Sequence, residues 1–436
     1  MSGTAGEGSS VVTAGFDVAI VGLGPTGAVL ATVLGEAGIR TVVYERDPAP
    51  YSQPRACHLD AEIARLLARH GLADELPSLL TVSAGMEYVD RPGGRRLFTF
   101  EGFEREPLLG WHEDYVFIQP ELETALRRRV AEFRHVTIRW CEAPPLDALR
   151  AEARFVVGCD GASSAVRRAA GIGFTDLGYD EPWLVVDLDL HAEPDPPLPP
   201  IIQQVCDPRR LATFVPGHAA HRRWEFLLAE GEDPDPWTLL GEWGIGPQHG
   251  TLVRAVKYRF HALVADRWRE GDVFVAGDAA HMMPPFMGQG LCSGMRDAEN
   301  LGWKLVEVLG GGDPALLETY QAERKPHTED VIRLSVEAGR TLARLAADPT
   351  DLPTPSAPDP TRWSRLPGLP LGEFPLGHQV PQPDRLDDRL SVWCWVAADD
   401  GFVAPDGRPV VVEPCATYGH RAVLVRPDRT IAALAD

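Results

Sequence analysis

The chain has 436 residues, 44% of them hydrophobic and 24% charged, which is the composition of a globular protein with room for two or three domains. Its formal charge of −21 disfavours nucleic acids and anionic membranes as partners. The seven cysteines form no C-x-x-C pair. They therefore indicate neither a zinc site nor a disulfide scaffold, and they fit a reducing cytoplasm.

The N-terminal part has the pattern of a β-α-β unit. Residues 1–15 are small and polar, and we expect a disordered tail there. Phe16–Val21 predicts a buried parallel strand, Pro25–Ala37 a helix that ends at Gly38, and Ile39–Glu45 a second strand. No stretch is long and apolar enough to predict a membrane span.

The turn between this strand and this helix carries a dinucleotide-binding motif, made of Gly22, Gly24, Pro25, Thr26 and Gly27. The first glycine permits a tight turn, the second lets the backbone approach a pyrophosphate, and the third lets helix and strand pack closely. The helix N-terminus then offers free amides to the phosphates. Glu45 ends the second strand at the spacing of a carboxylate that binds ribose hydroxyls, which favours FAD or NAD over NADP.

Further elements follow in chain order. Helices are predicted at Ala61–His70, Glu121–Phe133, Ser163–Ala170, Leu291–Leu309 and Ala315–Ala347. Short apolar strands are predicted at Arg154–Gly158 and Val273–Ala276. Between them, an antiparallel sheet is predicted from Leu184–Leu190, Ile201–Val205, Leu211–Val215 and Arg222–Leu228.

Both short apolar strands run into aspartate turns, at Asp160 and at Asp278. An aspartate at such a strand end can accept hydrogen bonds from ribityl hydroxyls. The run Gly288-Gln289-Gly290 opens the next long helix, so its amides can face an electron-rich ring edge. Simple NAD dehydrogenases lack this second aspartate turn, so FAD is the predicted ligand.

With these segments together, the chain resembles the group A FAD-dependent aromatic hydroxylases, the para-hydroxybenzoate hydroxylase superfamily. The run from Gly277 to Leu305 most resembles the 3-(3-hydroxyphenyl)propionate hydroxylase branch. The resemblance implies an α/β fold: a Rossmann-like FAD-binding domain, an inserted antiparallel-sheet substrate domain, and a small C-terminal, thioredoxin-like module. Residues 139–154 and 229–252 are shorter than the pattern of this family.

The implied domains divide the chain discontinuously. The FAD-binding domain comprises residues 16–90, 115–180 and 270–347, and the substrate domain comprises 91–114 and 181–269. A Pro-rich linker over 348–385 then leads to the C-terminal module at 386–436.

The resemblance also implies roles for individual residues. Cofactor binding is implied, besides the glycine motif, for Glu45, Arg46, Arg55, Gln119, Asp160, Asp278, Gly288, Gly290, Leu291 and Cys292. Pro285 would lie near the reactive flavin carbon, and Gly288, Gln289 and Gly290 would stabilise charge on the flavin. No metal site is predicted.

The implied reaction is hydroxylation of a phenolic ring with NAD(P)H and O2, through a flavin C4a-hydroperoxide. Residues expected to line the substrate pocket are Trp183, Gln203, Phe214, Trp224, Phe226 and Phe286. Candidates for a catalytic base are His218, His221 and Tyr258. The expected partner is a small aromatic molecule, and the expected state is a monomer or homodimer.

Two other functions remain open. A tailoring monooxygenase of the same fold would act on a polycyclic or polyketide substrate by hydroxylation, epoxidation or Baeyer–Villiger chemistry. A non-catalytic flavin-binding protein would hold FAD without substrate-stimulated oxidation of NAD(P)H. A flavin-dependent halogenase is disfavoured, because Trp393-Cys394-Trp395 is not followed by Ile-Pro.

Overall fold

A computed structural model describes residues 15–100 and 110–353, together with 394–397, 404, 408, 410–412, 422–428 and 431–435 nearer the C-terminus. In chain order its strands are β1 (Phe16–Val21), β2 (Thr41–Glu45), β3 (His58–Asp60), β4 (Leu80–Val82), β5 (Met86–Val89), β6 (Arg96–Phe100), β7 (Asp114–Phe117), β8 (Val136–Trp140), β9 (Ala153–Gly158), β10 (Phe174–Leu190), β11 (Ile202–Asp207), β12 (Arg210–Val215), β13 (His221–Leu227), β14 (Gly250–Ala265), β15 (Arg269–Glu270), β16 (Val273–Val275), β17 (His281–Met282), β18 (Cys394–Ala397), β19 (Val410–Val412), β20 (Ala422–Val425) and β21 (Ile431–Ala435).

The helices in the same residues are α1 (Pro25–Glu36), α2 (Ala61–Leu67), α3 (Leu76–Leu79), α4 (Gln119–Ala131), α5 (Leu146–Glu152), α6 (Ala165–Ala169), α7 (Pro236–Gly241), α8 (Gln289–Leu309) and α9 (Glu318–Ala347). A π-helical turn (Ala68–Leu72) follows α2, and short 3-10 turns lie at Gly277–Ala279, Pro285–Met287 and Pro314–Leu317.

The first layer of the fold is a six-stranded sheet in the order β15-β16-β9-β1-β2-β8. All its pairings are parallel except that of β15 with β16. Because side chains alternate along β1, Val18 and Ile20 pack in one core with α1 and α8, whereas Ala19 packs in another with α5. Both faces of the sheet are therefore covered, as parallel sheets require, and the Rossmann-like fold class is confirmed.

The second layer is an eight-stranded sheet in the order β17-β14-β10-β13-β12-β11-β5-β6. Its pairings are antiparallel apart from β11 with β5. One face packs on α7 through a separate apolar core that includes Leu184, Val186 and Leu240. The other face is turned toward the first layer and forms the wall of the cavity that is described below.

The predicted domain boundaries differ from these sheets in detail. Strands β5 and the start of β10 already belong to the eight-stranded sheet, although the prediction assigned Met86–Val89 and Phe174–Asp180 to the FAD-binding domain. Within residues 139–154, the segment that is shorter than the family pattern, the chain forms α5.

Near the C-terminus, β19-β18-β20-β21 form a four-stranded sheet, and its relation to thioredoxin stays a prediction. The predicted tail lies outside the described residues apart from Gly15, and the predicted linker does so from residue 354 onward.

Candidate functional site

A cavity of about 1410 Å³ lies between the two layers. It is lined by the glycine-rich turn, both aspartate turns, the start of α8 and the inner face of the eight-stranded sheet. Ordinary ligand sites measure about 300–1,000 Å³, so this cavity has room for a large cofactor with a substrate beside it. The three motif segments predicted to share one ligand therefore do meet at one place.

The glycine-rich turn owes its shape to missing side chains. Gly22 has φ +100°, and a Cβ built there would lie 2.4 Å from the Cys159 carbonyl oxygen. A Cβ on Gly27 would lie 2.0 Å from the Gly22 carbonyl oxygen. A Cβ on Gly24 would meet nothing within 4 Å, and this residue lines the cavity. The first and third glycines thus serve packing, while the second leaves space for a ligand.

Two helix N-termini open on this cavity without a side-chain cap. The N-cap residue of α1 is Gly24 and that of α8 is Gly288, and neither can supply a capping oxygen. The first-turn amides of a helix have no partner within the helix and carry a partial positive charge. This arrangement fits FAD, whose pyrophosphate suits the α1 terminus and whose electron-rich ring edge suits the α8 terminus.

Glu45 lies at the end of β2 with its carboxylate turned toward the glycine-rich turn. It accepts hydrogen bonds from the backbone amides of Leu23 at 2.7 Å and Asp47 at 2.9 Å. Arg127 of α4 lies 3.7 Å from the same carboxylate and donates to the Leu23 carbonyl oxygen at 3.2 Å. Glu45 therefore shapes the turn as well as facing the cavity where ribose binding was predicted.

Gln119 and the two predicted arginines line the cavity near the same end. The Gln119 side chain accepts a hydrogen bond from the Ala56 amide at 2.6 Å, so it fixes the backbone next to Arg55. Arg55 lies over the Tyr51 ring, and the largely exposed Arg46 pairs with its neighbour Asp47. Their contacts with a cofactor stay a prediction.

The two predicted aspartates differ in their bonding. The Asp160 carboxylate accepts hydrogen bonds from the Ala165 and Val166 amides at 2.7 and 3.1 Å and from the hydroxyl of Ser164, the N-cap residue of α6, so it is held by the start of that helix. Asp278 is exposed to the cavity, and no hydrogen bond joins its side chain to the described residues. Of the two, Asp278 has the carboxylate that is available to ribityl hydroxyls.

We expect Asp278→Ala to weaken FAD binding about tenfold while leaving the free energy of unfolding of the apoprotein nearly unchanged, because only a ligand contact is lost. Flavin absorbance per protein and the Kd for FAD measure the effect. Asp272→Ala is the matched control, since Asp272 pairs with Arg150 away from the cavity. Equal FAD affinity in Asp278→Ala and the unmodified protein would contradict this assignment.

The start of α8 at Gly288 packs against His58 of β3. Gly288 has φ +62°, and a Cβ there would lie 2.3 Å from His58 Nδ1. His58 Nδ1 lies 3.2 Å from the Gly288 carbonyl oxygen, and Nε2 bonds to Asp114. Burial lowers the pKa of His58, but the Asp114 carboxylate outweighs it and raises this pKa well above its ordinary value. A charged imidazole therefore borders the cavity beside Gly288.

The Pro285–Met287 turn forms an aromatic and apolar wall beside α8. Phe286 makes edge-to-face contacts with Trp183, Tyr179 and Phe260, and a Cβ on Gly339 would lie 2.5 Å from its ring. Pro285, Phe286, Gly288, Gln289, Gly290 and Leu291 line the cavity. Cys292 does not, because it is fully buried behind the helix start.

Several residues predicted for the substrate pocket lie elsewhere. Phe214, Trp224 and Phe226 belong to the core between the eight-stranded sheet and α7, on the face away from the cavity. Gln203 bonds to Glu87 on that same face, and Trp183 packs behind Phe286. On β12 and β13 the prediction took the aromatic side chains, whereas Thr213, Arg223 and Glu225, which alternate with them, face the cavity.

Of the three candidate bases, Tyr258 lines the cavity and the two histidines do not. His221 bonds to Asp187 at 3.0 Å and Asp189 at 3.1 Å, and it does not line the cavity. His218 bonds to Thr81 and also lies off the cavity. Tyr258 lines the cavity, with its hydroxyl 3.2 Å from Arg254 Nη1.

Of the polar inner wall, the sequence interpretation named only Tyr258, as a candidate base, and it missed Gln204, Thr213, Arg223 and Glu225. The available signal was charge alternating with large apolar residues along His221–Leu227, since charged side chains on a buried strand require partners or a function. It also missed His58, Arg127, Arg296 and Asp297. These residues reach the site through contacts distant in sequence, which no local pattern reports.

Within the described residues, His, Cys, Asp and Glu side chains form no cluster suited to a metal ion. No helix among those residues has both the length and the apolar character that crossing a bilayer requires.

A family model described as FAD binding domain matches residues 15–143 and 147–335. A relative from Rhodococcus jostii (strain RHA1), described as a probable NADH-specific resorcinol 4-hydroxylase, is 36% identical over 349 residues, which cover 74% of this chain and 65% of the relative. A 3-(3-hydroxy-phenyl)propionate/3-hydroxycinnamic acid hydroxylase from Mycobacterium sp. (strain JLS) is 36% identical over 350 residues, 75% of this chain and 60% of the relative. The chain thus spans less than two thirds of the length of these curated relatives.

Among solved structures, that of aklavinone-11 hydroxylase with FAD and aklavinone superposes with a TM-score of 0.79. The match covers 97% of this chain and 95% of the other, at 24% sequence identity. At that identity the comparison shows that the two proteins share a fold, and it shows nothing more.

Proposed function

Because this chain belongs to the FAD binding domain family, we propose that it is an FAD-dependent monooxygenase that hydroxylates a phenolic ring with NAD(P)H and O2. The observation that carries the proposal is the shape of the cavity. Two uncapped helix N-termini, at Gly24 and Gly288, open on it, and a polar sheet face lines it as well. Relatives named as resorcinol and hydroxyphenylpropionate hydroxylases support the same chemistry.

Bound here, FAD would supply the redox chemistry, which is acceptance of a hydride from NAD(P)H and transfer of one oxygen atom from O2. The residues of this chain supply position and charge. The first-turn amides of α1 would hold the pyrophosphate, and Asp278 would hold the ribityl chain. Gln289 and Gly290 direct amides of α8 at the ring edge, where they stabilise negative charge. Glu45 holds the glycine-rich turn and offers its carboxylate to the ribose.

Water must be kept from the reacting atoms, because reduced flavin and O2 otherwise yield hydrogen peroxide without product. Phe286, packed against three aromatic side chains, is a rigid apolar wall at this place. Met283 and Met287 extend the wall along the cavity. We assign this segment the exclusion of water, with Pro285 next to the ring.

A tailoring monooxygenase acting on a polycyclic substrate is the second candidate. The cavity of 1410 Å³ accommodates FAD together with a substrate, and it does not restrict that substrate to a single ring. A fused-ring substrate would still meet the same polar wall.

The test is oxidation of NADH and of NADPH by the purified holoenzyme with resorcinol, 3-(3-hydroxyphenyl)propionate and a fused-ring polyphenol. Hydroxylated product is scored against hydrogen peroxide. Product from a single-ring phenol supports the first proposal, and product from the fused-ring compound alone supports the second. Protein that binds FAD but shows no substrate-stimulated oxidation with any compound would refute both and favour a non-catalytic flavin-binding protein.

We also propose that the protein works in the cytoplasm as a monomer or homodimer. The scattered cysteines and the charge of −21 support a reducing compartment and a well-solvated surface. Light scattering on the holoenzyme measures the oligomeric state.

A further inference from the structure

One row of side chains on the inner face of the eight-stranded sheet contains an unusual carboxylate. Glu225 on β13 pairs in register with Thr213 on β12, which pairs in turn with Gln204 on β11. Because residues directly opposite each other share a face, all three point to the same side, and all three line the cavity. Glu225 is only 6% exposed.

The neighbours of Glu225 already have partners. The Thr213 hydroxyl donates to Gln204 at 2.8 Å. Arg223 donates to Asp187 at 2.8 Å and Arg254 lies 2.7 Å from the other oxygen of Asp187, so both guanidinium groups are held by that carboxylate. No hydrogen bond to the Glu225 carboxyl comes from the described part of the chain. A buried acceptor without a donor is costly, so this group is suited to a donor that arrives with a ligand.

The Glu225 carboxyl and the start of α8 line the same cavity and are connected through one loop. Arg223, two residues before Glu225, donates to the backbone oxygens of Pro54 and Arg55. His58, three residues further on, lies 3.2 Å from the Gly288 carbonyl oxygen. β13 is thus joined to the start of α8 through the Arg223 side chain and residues 54–58, and Glu225 and Gly288 line the same cavity.

Resting on the function proposed above, we propose that Glu225 is the substrate-contacting acceptor for a phenolic hydroxyl, and that the substrate is an uncharged, hydroxyl-bearing aromatic ring. The phenol donates its O–H to a Glu225 oxygen. On activation the O–H bond breaks, the proton passes to that oxygen, and the electron pair stays on the phenol oxygen. This raises electron density at the ortho and para carbons.

The charges on the wall favour this substrate class over an aryl carboxylate. In the described residues of the wall, the cations Arg223 and Arg254 are engaged by Asp187, whereas Glu225 faces the cavity without an ion pair. A second carboxylate brought to this place would be repelled. A neutral ring with hydroxyl groups would instead supply the missing donor.

The protonation of Glu225 gives the proposal a distinct signature. Burial raises its pKa to about 7, although Arg223 on the same strand and Arg254 on β14 oppose the shift, while Asp187 on β10 adds to it. Tyr258 on β14 and Cys57 before β3 are the other titratable groups at this wall. Since the ionised form is the better acceptor, affinity for a neutral phenol should rise as pH increases through about 7.

The test is binding of resorcinol and of 3-(3-hydroxyphenyl)propionate to the holoenzyme, by calorimetry and by perturbation of the flavin spectrum, at pH 6 and pH 8. We expect the unmodified protein to bind resorcinol more tightly at pH 8. Glu225→Gln should bind it about tenfold more weakly at pH 8, with little pH dependence, and should gain relative affinity for the propionate. Glu225→Asp should recover part of the pH dependence.

The matched control is Glu87→Gln, since Glu87 lies on the same sheet but bonds to Gln203 away from the cavity. Equal resorcinol affinity and pH dependence in Glu225→Gln and the unmodified protein would overturn the inference. So would a preference of the unmodified protein for the propionate, or no binding of either phenol. Product formation, scored separately, tells whether the proposed function fails with it. FAD content and thermal unfolding of each variant report whether the fold is kept.

Discussion

Gly24→Val is expected to abolish FAD binding in a chain that still folds. Its backbone is extended at φ −71° and ψ −177°, which valine adopts readily, and a Cβ there meets no atom within 4 Å. The added methyl groups would enter the cavity where a pyrophosphate must approach the first-turn amides of α1. We expect the Kd for FAD to rise at least about hundredfold, or ~2.7 kcal/mol, with far-ultraviolet circular dichroism unchanged.

Gly27→Val should fail in the opposite way. Its Cβ would lie 2.0 Å from the Gly22 carbonyl oxygen and 3.3 Å from the Cys159 side chain, so α1 would have to move from the sheet. We expect the free energy of unfolding of the apoprotein to fall by about 3 kcal/mol or more. Gly241→Ala is the control for Gly24→Val. A Cβ on Gly241 likewise meets no atom within 4 Å, but Gly241 lies at the end of α7. FAD affinity retained in Gly24→Val would show that the ligand does not reach this turn.

The parts of this site that sequence reasoning found are those set by local backbone chemistry. The spacing of Gly22, Gly24 and Gly27 between a strand and a helix requires one kind of turn, and the structure contains it. The FAD ligand and the fold class are confirmed by the family match. Glu45 was found from its spacing, but its bonds to the amides of Leu23 and Asp47 depend on how the turn folds back.

The substrate wall could not be found in the same way, because strand patterns specify two faces without saying which one is lined by a cavity. On β13, Trp224 and Phe226 were taken for the pocket, yet their core against α7 is as apolar as any pocket wall. Arg223 and Glu225 alternate with them and face the cavity. To decide which face of β13 lines the cavity, one must know that α7 covers the other face, and no local sequence pattern reports that contact.

Asp297 was missed for a related reason: its partners come from two other segments of the chain, residues 277–281 and α9. It is fully buried in α8 and accepts hydrogen bonds from the Gly277 amide at 3.1 Å and from Arg324 Nε at 2.8 Å. His281 Nε2 lies 2.8 Å from the same carboxylate. One side chain therefore joins the second aspartate turn, α8 and α9, and it fixes the backbone on which Asp278 is carried.

Asp297→Ala is accordingly expected to lower the free energy of unfolding by about 3–5 kcal/mol, because Arg324 is left buried without its counter-ion. FAD retention should fall as well, since the Gly277 amide loses its acceptor. Thermal and urea unfolding of the apoprotein measure the first effect, and flavin content measures the second. Asp330→Ala, at an exposed pair with Arg333, is the control and should change stability by less than about 0.5 kcal/mol.

The acid response of the Asp297 network provides an independent check. Burial raises the pKa of Asp297, but Arg324 and His281 outweigh it and hold this pKa below its ordinary value. A carboxyl with a lowered folded-state pKa contributes stability above its unfolded pKa of about 4 and loses it as pH falls through the folded value. Asp297→Ala should therefore lose less stability on acidification than the unmodified protein. A variant as stable as the unmodified protein at pH 7, or one with the same acid profile, would mean that Arg324 finds another counter-ion and that Asp297 does not organise this turn.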